Sequence, residues 1–339
     1  MWKRRNKMKL LLLLLTVLVI FLISINPLAA AAKVVLLIAQ EFPQIPFRPL
    51  HNITQDPIVE KVQFSPSPDG AKAVGDLFIP KNANIKPAII VAMGLKTSDK
   101  DRPILLGFCE TLARLGYVVL WPRSVDLEND VIKLEEPQTF IDSFNFLKER
   151  DDVDKNRISY VGFSVGSSLA LVAAEDEKIN EYVRSVVFFG GYYSILDYLS
   201  SLSTNTIVLD KQTTRWQAAK SAVDHAQRTL EKEGLLLNMF DKKNLLDPEL
   251  AGRLSRFSPD QNIDSVNAKI FILHEKSDTF VPYTESIKLK QALEEKGKSY
   301  DYHLANLFKH VQPKEGISVE MINEFSGLFV FLHKVFMRL

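Results

Sequence analysis

From residue 57 onward, short apolar runs alternate with stretches of helical period. Ile58–Phe64 and Lys72–Ile79 are β-rich runs on either side of Ser-Pro-Ser-Pro-Asp-Gly, a turn signal, and predict an opening hairpin. Ala88–Met93, Tyr117–Trp121, Ile158–Phe163, Val183–Phe189 and Lys269–His274 are short runs dominated by apolar residues. Runs of that kind are expected of strands covered on both faces. Tyr300–Leu304 is a further strand candidate. Between them, Pro103–Leu115 (stopped by Gly116), Pro137–Arg150, Val165–Ala174 and Thr284–Lys296 carry helical spacing, and Ser318–Met337 closes the chain as a helix. Repeated strand–helix units predict an α/β fold: a mostly parallel central sheet with helices on both faces. There is no internal repeat.

Two segments break this rhythm. Residues 192–265 contain no buried-strand pattern but carry apolar patches and helical stretches, and read as a helical cap inserted between two strands. At the other end, Lys3, Arg4, Arg5, Lys7 and Lys9 precede Leu10–Ala32, which holds no charge. Its densest part, Leu10–Ile25, approaches the ~20 apolar residues that span a bilayer. Ala29–Ala32 also offers small residues suited to signal-peptidase cleavage. Residues 1–32 are therefore expected to be a cleaved signal peptide, with a mature start near Lys33, or a retained membrane anchor. Both leave the basic end cytoplasmic and the rest outside, an extracytoplasmic placement. Residues 33–56, apolar and then proline-rich, read as a linker or an arm lying on the domain, and 57–339 as the domain itself.

Charge sharpens the partner question. The 339 residues hold 42 basic and 41 acidic side chains, but five of the basic ones sit within residues 1–9. The folded part therefore has a net negative charge and no basic surplus for nucleic acid. A hydrophobic fraction of 46% excludes a disordered chain, and one cysteine, Cys109, excludes an internal disulfide framework and any multi-cysteine metal site.

The chemistry concentrates at strand ends. The strand candidate Ile158–Phe163 runs into Gly162-Phe163-Ser164-Val165-Gly166 and then into a helix, a G-x-S-x-G nucleophile elbow in strand–turn–helix context. Ser164 has to sit on a tight, strained turn, and Gly162 and Gly166 remove Cβ atoms that would clash with neighbouring chain. The following helix aims backbone N–H groups at developing negative charge.

On these residues the chain resembles the α/β-hydrolase superfamily, and within it the serine hydrolases of the dienelactone-hydrolase and prolyl-oligopeptidase-like branch, over roughly 57–339. The resemblance implies the chain order nucleophile, acid, histidine. His274-Glu275-Lys276-Ser277-Asp278-Thr279-Phe280-Val281-Pro282 is similar to the family's H-G-x-x-D-x-x-V-P segment and implies Asp278 as the acid, with Glu275 standing where glycine is usual. His310, after the last strand candidate, is implied as the base; His303 is the rival, but lies inside the strand pattern. The oxyanion donors implied are the backbone N–H groups of Val165 and, after Ala88–Met93, of Leu95.

Lys96, Lys100, Arg102 and Arg123 cluster near these strand ends and read as a solvated loop before an acidic-substrate site. No Walker loop, H-E-x-x-H, dinucleotide fingerprint or EF-hand loop occurs, so no metal or cofactor is implied. The expected activity is a serine hydrolase, a carboxylesterase working on a small-molecule ester through an acyl-enzyme. A serine peptidase or acyltransferase of the same fold is the rival enzyme, although the prolyl-oligopeptidase type carries a large β-propeller not seen within these residues. A non-catalytic binding protein on the same fold is the rival of another class. Because the insertion leaves the sheet beside the elbow, it is expected to form part of the substrate pocket, with Tyr192, Tyr193 and Leu196 nearest the entrance.

Overall fold

The computed structural model describes residues 26–42, 45–66, 72–82, 84–94, 102–123, 136–232, 234–241, 247–314 and 319–339. Eight strands form one sheet: β1 (Ile58–Pro66), β2 (Lys72–Ile79), β3 (Lys86–Ala92), β4 (Val118–Arg123), β5 (Val153–Phe163), β6 (Val183–Phe189), β9 (Lys269–Glu275) and β10 (Tyr300–Ala305), in the order β1-β2-β4-β3-β5-β6-β9-β10. β1 and β2 pair antiparallel with each other, and β2 antiparallel with β4; all other neighbours are parallel. The predicted mostly parallel sheet is thus observed.

Among the described residues, the helices of eight residues or more are α1 (26–41), α2 (Arg102–Arg114), α3 (Glu136–Lys148), α4 (Val165–Ala173), α5 (Ile195–Thr204), α6 (Lys220–Lys232), α7 (Pro248–Ser255), α8 (Thr284–Glu295) and α9 (Val319–Arg338). Strand side chains alternate between two cores. Ala88, Ile90, Tyr160, Val186, Phe188 and Ile272 face one side and pack with α3, α4, α8 and the insertion. Ile89, Val91, Val161, Val187, Phe189, Phe271 and Leu273 face the other and pack with α1, α2 and α9. Covering both faces by helices is why these strands read as continuous apolar runs. Cys109 is buried in the second core, where desolvation pushes its thiol far above the ordinary range and leaves it inert.

Residues 33–56, expected to be a linker or an arm lying on the domain, begin with the end of a core-packed helix. Residues 33–41 belong to α1, which runs through the expected cleavage region and is built into the second core, with Ala30 and Val34 buried one turn apart. Lys33 donates to the Tyr117 hydroxyl (2.9 Å), and the Pro27 carbonyl lies 3.0 Å from His333 Nε2. Among the described residues no helix is long and apolar enough to cross a membrane; Leu10–Ile25 lies outside them.

The insertion is also not wholly helical. β7 (Thr206–Leu209) and β8 (Gln212–Arg215) form a hairpin whose turn residues Asp210 and Lys211 both have positive φ, 49° and 66°. Primed hairpin turns require such angles, and aspartate tolerates them.

Candidate active site

Ser164 sits between β5 and α4 with φ 53°, ψ −137°, far outside the helical region that its successor enters. The strain is held by neighbours. Its N–H donates to the Phe189 carbonyl of β6 (2.8 Å), and its own carbonyl accepts from the Ser167 N–H (2.9 Å) and hydroxyl (2.7 Å). The flanking glycines are required by close approach. A Cβ at Gly162 would lie 2.3 Å from Ser167 Cα, and one at Gly166 would lie 2.3 Å from the Met93 carbonyl carbon. Gly94, after β3, is as constrained: a Cβ there would lie 3.1 Å from both Ser164 Cβ and the Val165 nitrogen. The end of β3 is thereby pressed against the first N–H of α4. Leu95, Lys96 and Lys100 lie outside the described residues.

The loop after β9 carries Asp278, the candidate acid. Asp278 is buried, and its Oδ1 accepts from the N–H groups of Phe280 (2.7 Å) and Val281 (3.1 Å), while Oδ2 lies 2.5 Å from His310 Nδ1. Burial alone would raise this carboxyl. The charge on His310 and hydrogen bonds from His274 and His310 outweigh it and hold the group well below the usual carboxylate range. His274 is wholly buried, with Nε2 3.1 Å from the Val281 carbonyl oxygen and 3.5 Å from Asp278 Oδ2. His310 has φ 56° and stacks against Phe280 at 5.0 Å. Its Cε1 would be only 3.5 Å from a Cβ at Gly190. His303 lies elsewhere, stacked on Phe331 of α9 and half-buried, which lowers its pKa.

Three supports carry no sequence signature of their own. Glu275, at the end of β9, is wholly buried. Its carboxylate accepts from the Phe308 N–H (2.9 Å), the Ser277 hydroxyl (2.6 Å) and N–H (3.1 Å), and Lys314 Nζ (3.1 Å). The residue that replaces the family's usual glycine therefore ties the Asp278 loop to the His310 loop. Trp216 of the insertion donates its indole N–H to the Asp278 carbonyl (2.9 Å), and the Ala219 N–H donates to the Thr279 carbonyl (2.7 Å), docking the insertion on the acid loop. Glu285 of α8 accepts from the N–H groups of Tyr193 (3.1 Å) and Ser194 (2.9 Å) and so fixes where the insertion departs.

Ser164, Val165, Phe280 and His310 line a single cavity of about 810 Å³. The insertion supplies part of its wall, through Tyr192, Ile195, Tyr198, Leu199, His225 and Phe257 among others. Tyr193 and Leu196, expected at the entrance, are not on that wall; they pack against the first core instead. For Leu196, on α5, the reason is helical period. Ile195, Tyr198 and Leu199 share the face of α5 that meets the cavity, and Leu196 is turned about 100° from Ile195. Elsewhere on the surface His51, Asp56 and Glu110 bring possible ligand atoms together. Arg114 already bridges both carboxylates, so the cluster is an ion-pair network around a guanidinium.

A family model described as BD-FAE matches residues 145–293, a stretch that includes Ser164 and Asp278. No curated protein matches the chain. Among solved structures, an acylaminoacyl peptidase of Pyrococcus horikoshii superposes with a TM-score of 0.52 at 14% identity, over 84% of this chain and 41% of its own. The chain has the α/β-hydrolase fold. It shares that α/β-hydrolase fold with a puromycin-hydrolyzing peptidase of Mycobacterium tuberculosis (TM-score 0.56, 12% identity, 86% of this chain, 39% of that one). A 2,6-dihydroxy-pseudo-oxynicotine hydrolase shares it too (TM-score 0.51, 15% identity, 83% and 68%). The chain spans about four-tenths of the length of the two peptidases.

Proposed function

We propose that the protein is a serine hydrolase, a carboxylesterase acting through an acyl-enzyme with Ser164 as nucleophile, His310 as base and Asp278 as acid. The observation that carries this reading is the 2.5 Å contact between His310 Nδ1 and Asp278 Oδ2 on the same cavity wall as a serine with φ 53°. Bound to Asp278 through Nδ1, His310 presents Nε2 as the basic nitrogen. It takes the Ser164 proton as Oγ attacks the ester carbonyl carbon. The carbonyl π-electrons move to oxygen, and the oxyanion is held by the backbone N–H of Val165 and by that of Leu95. Collapse breaks the C–O bond, and His310 gives its proton to the leaving alcohol. Water repeats the sequence in reverse roles, releasing the carboxylic acid and restoring Ser164.

The packing of α1 favours a retained membrane anchor over a cleaved signal peptide, because cleavage before Lys33 would cut a helix whose residues 30 and 34 are both core positions. Residues 1–25 then hold the hydrolase at the extracytoplasmic face of the membrane. A peptidase is the second reading, favoured by the peptidases among the structures that share the fold. Turnover of matched p-nitrophenyl esters and p-nitroanilides tests both. Ester turnover that disappears in Ser164→Ala is expected; anilide turnover at comparable kcat/KM selects the peptidase, and activity toward neither contradicts the enzyme reading.

A further inference from the structure

The cavity extends beyond the space under the insertion. From Ser164 it continues down the second face of the sheet, bounded by Val161, Phe163 and Val187 of the strands and by α1, α2 and α9. Its far wall includes Leu339, whose carbonyl oxygen accepts from Arg157 Nε (3.2 Å) and Nη2 (2.9 Å). Arg157 lies on β5, seven residues before Ser164. At about 3.3 Å per residue Arg157 stands roughly 23 Å back along the strand from the nucleophile, so the wall at Leu339 lies toward that end of the sheet. Interiors are packed to crystal-like density, and an empty apolar space of this size weakens a core. A void of about 810 Å³ is also near the upper end of ligand pockets, roughly 300–1,000 Å³.

We infer that this arm, roofed by α1, takes one long unbranched hydrocarbon chain of the ester substrate. The inference rests on the serine-hydrolase reading and names its substrate class. Three features fit a chain better than a compact or polar group. The arm is long. Its wall is apolar along Leu37, Ile38, Phe108, Phe163 and Leu332. Its carboxylate, Glu41, already accepts from the Thr111 hydroxyl (2.6 Å), while burial raises its pKa toward the neutral acid. A zigzag chain advances about 1.3 Å per carbon, so each further ~5 Å of arm holds about four more carbons. α1 directly follows Leu10–Ile25 in the sequence, so the helix that roofs the arm is the one nearest the apolar segment.

The test uses the full chain in detergent and two matched series: p-nitrophenyl esters of acids from two to sixteen carbons, and acetate esters of alcohols over the same range. In one series kcat/KM is expected to rise by up to about fourfold per methylene, the value of full burial, well past four carbons. Leu37→Trp and Leu332→Trp, both at half-buried wall positions, should lower long-chain turnover at least tenfold and leave acetate and butyrate esters within twofold. A wild-type optimum at two to four carbons in both series overturns the proposal, as does an equal loss at every length in variants whose melting is unchanged. Labelling of the wild type by methyl and dodecyl fluorophosphonates gives a readout independent of any variant. Faster dodecyl labelling supports the arm, equal rates overturn it, and labelling by neither overturns the serine-hydrolase reading itself.

Discussion

Replacing Glu275 with alanine should weaken the fold and slow the chemistry together. The carboxylate is wholly buried and joins two loops, so its removal strands several donors. The Phe308 N–H loses a 2.9 Å acceptor in a buried place, which costs about 1–3 kcal/mol. Lys314 and Ser277 are partly exposed and recover much of their loss from water, adding on the order of 1 kcal/mol. Removing a buried charge offsets part of this. The expected net is a destabilisation of about 2–3 kcal/mol in urea unfolding. Phe308 stands two residues before His310, so freeing it loosens the imidazole that Asp278 orients. A displacement near 1 Å can cost about 100-fold in rate. We expect kcat to fall ten- to a hundredfold with KM changed less than threefold. Glu275→Gln keeps an oxygen for Phe308 and should lose about half as much in each measurement. Stability within 0.5 kcal/mol of wild type and unchanged kcat in Glu275→Ala would refute the clamp.

Four further outcomes follow from the same geometry. His310→Ala should abolish ester turnover with little change in melting, whereas His303→Ala, removing a ring stacked on α9, should lower melting and keep turnover; the reverse pattern moves the base. Asp278→Asn should lose most activity, and because the folded carboxyl is held below its ordinary pKa, wild type has a stability contribution present above about pH 4 and lost as pH falls; acid titration of the two proteins should differ only there. Glu175 is the opposite case: burial, then Asp260, raises it to about 9, so its contribution is lost as pH rises from about 4.5 toward 9, and Glu175→Gln should gain up to about 4 kcal/mol at pH 8 but under about 1 at pH 5. Intact mass of natively expressed protein should show residues 1–32 retained; a start near Lys33 would contradict the anchor.

The sheet was legible because its strands are covered on both faces, so Ala88–Met93 or Val183–Phe189 stand out without knowledge of their neighbours. The elbow was legible for a local reason as well: Gly162 and Gly166 are needed by contacts within a few ångströms of Ser164. What escaped depends on distant chain. At the end of a long apolar run, burial of Ala30 and Val34 leaves no contrast, so α1 could not be told from a leader. The β7–β8 turn has no glycine, so Asp210-Lys211 did not announce a hairpin. Tyr193 and Leu196 were placed by proximity in sequence; the phase of α5 turns Leu196 from the cavity, and Tyr193, which precedes that helix, packs against the first core. Glu275 looked like a deviation; its partners Phe308 and Lys314 lie more than thirty residues away, and only the folded chain pairs them.

The central claim is that Ser164 is an activated nucleophile. Incubating the full-length wild-type protein with a fluorophosphonate, digesting it and mapping the adduct by mass spectrometry tests this most directly. The account predicts one adduct, on the peptide that contains Ser164, formed at least a hundredfold more slowly in His310→Ala. A well-folded wild type that stays unlabelled, or a label on another residue that persists in Ser164→Ala, would contradict it.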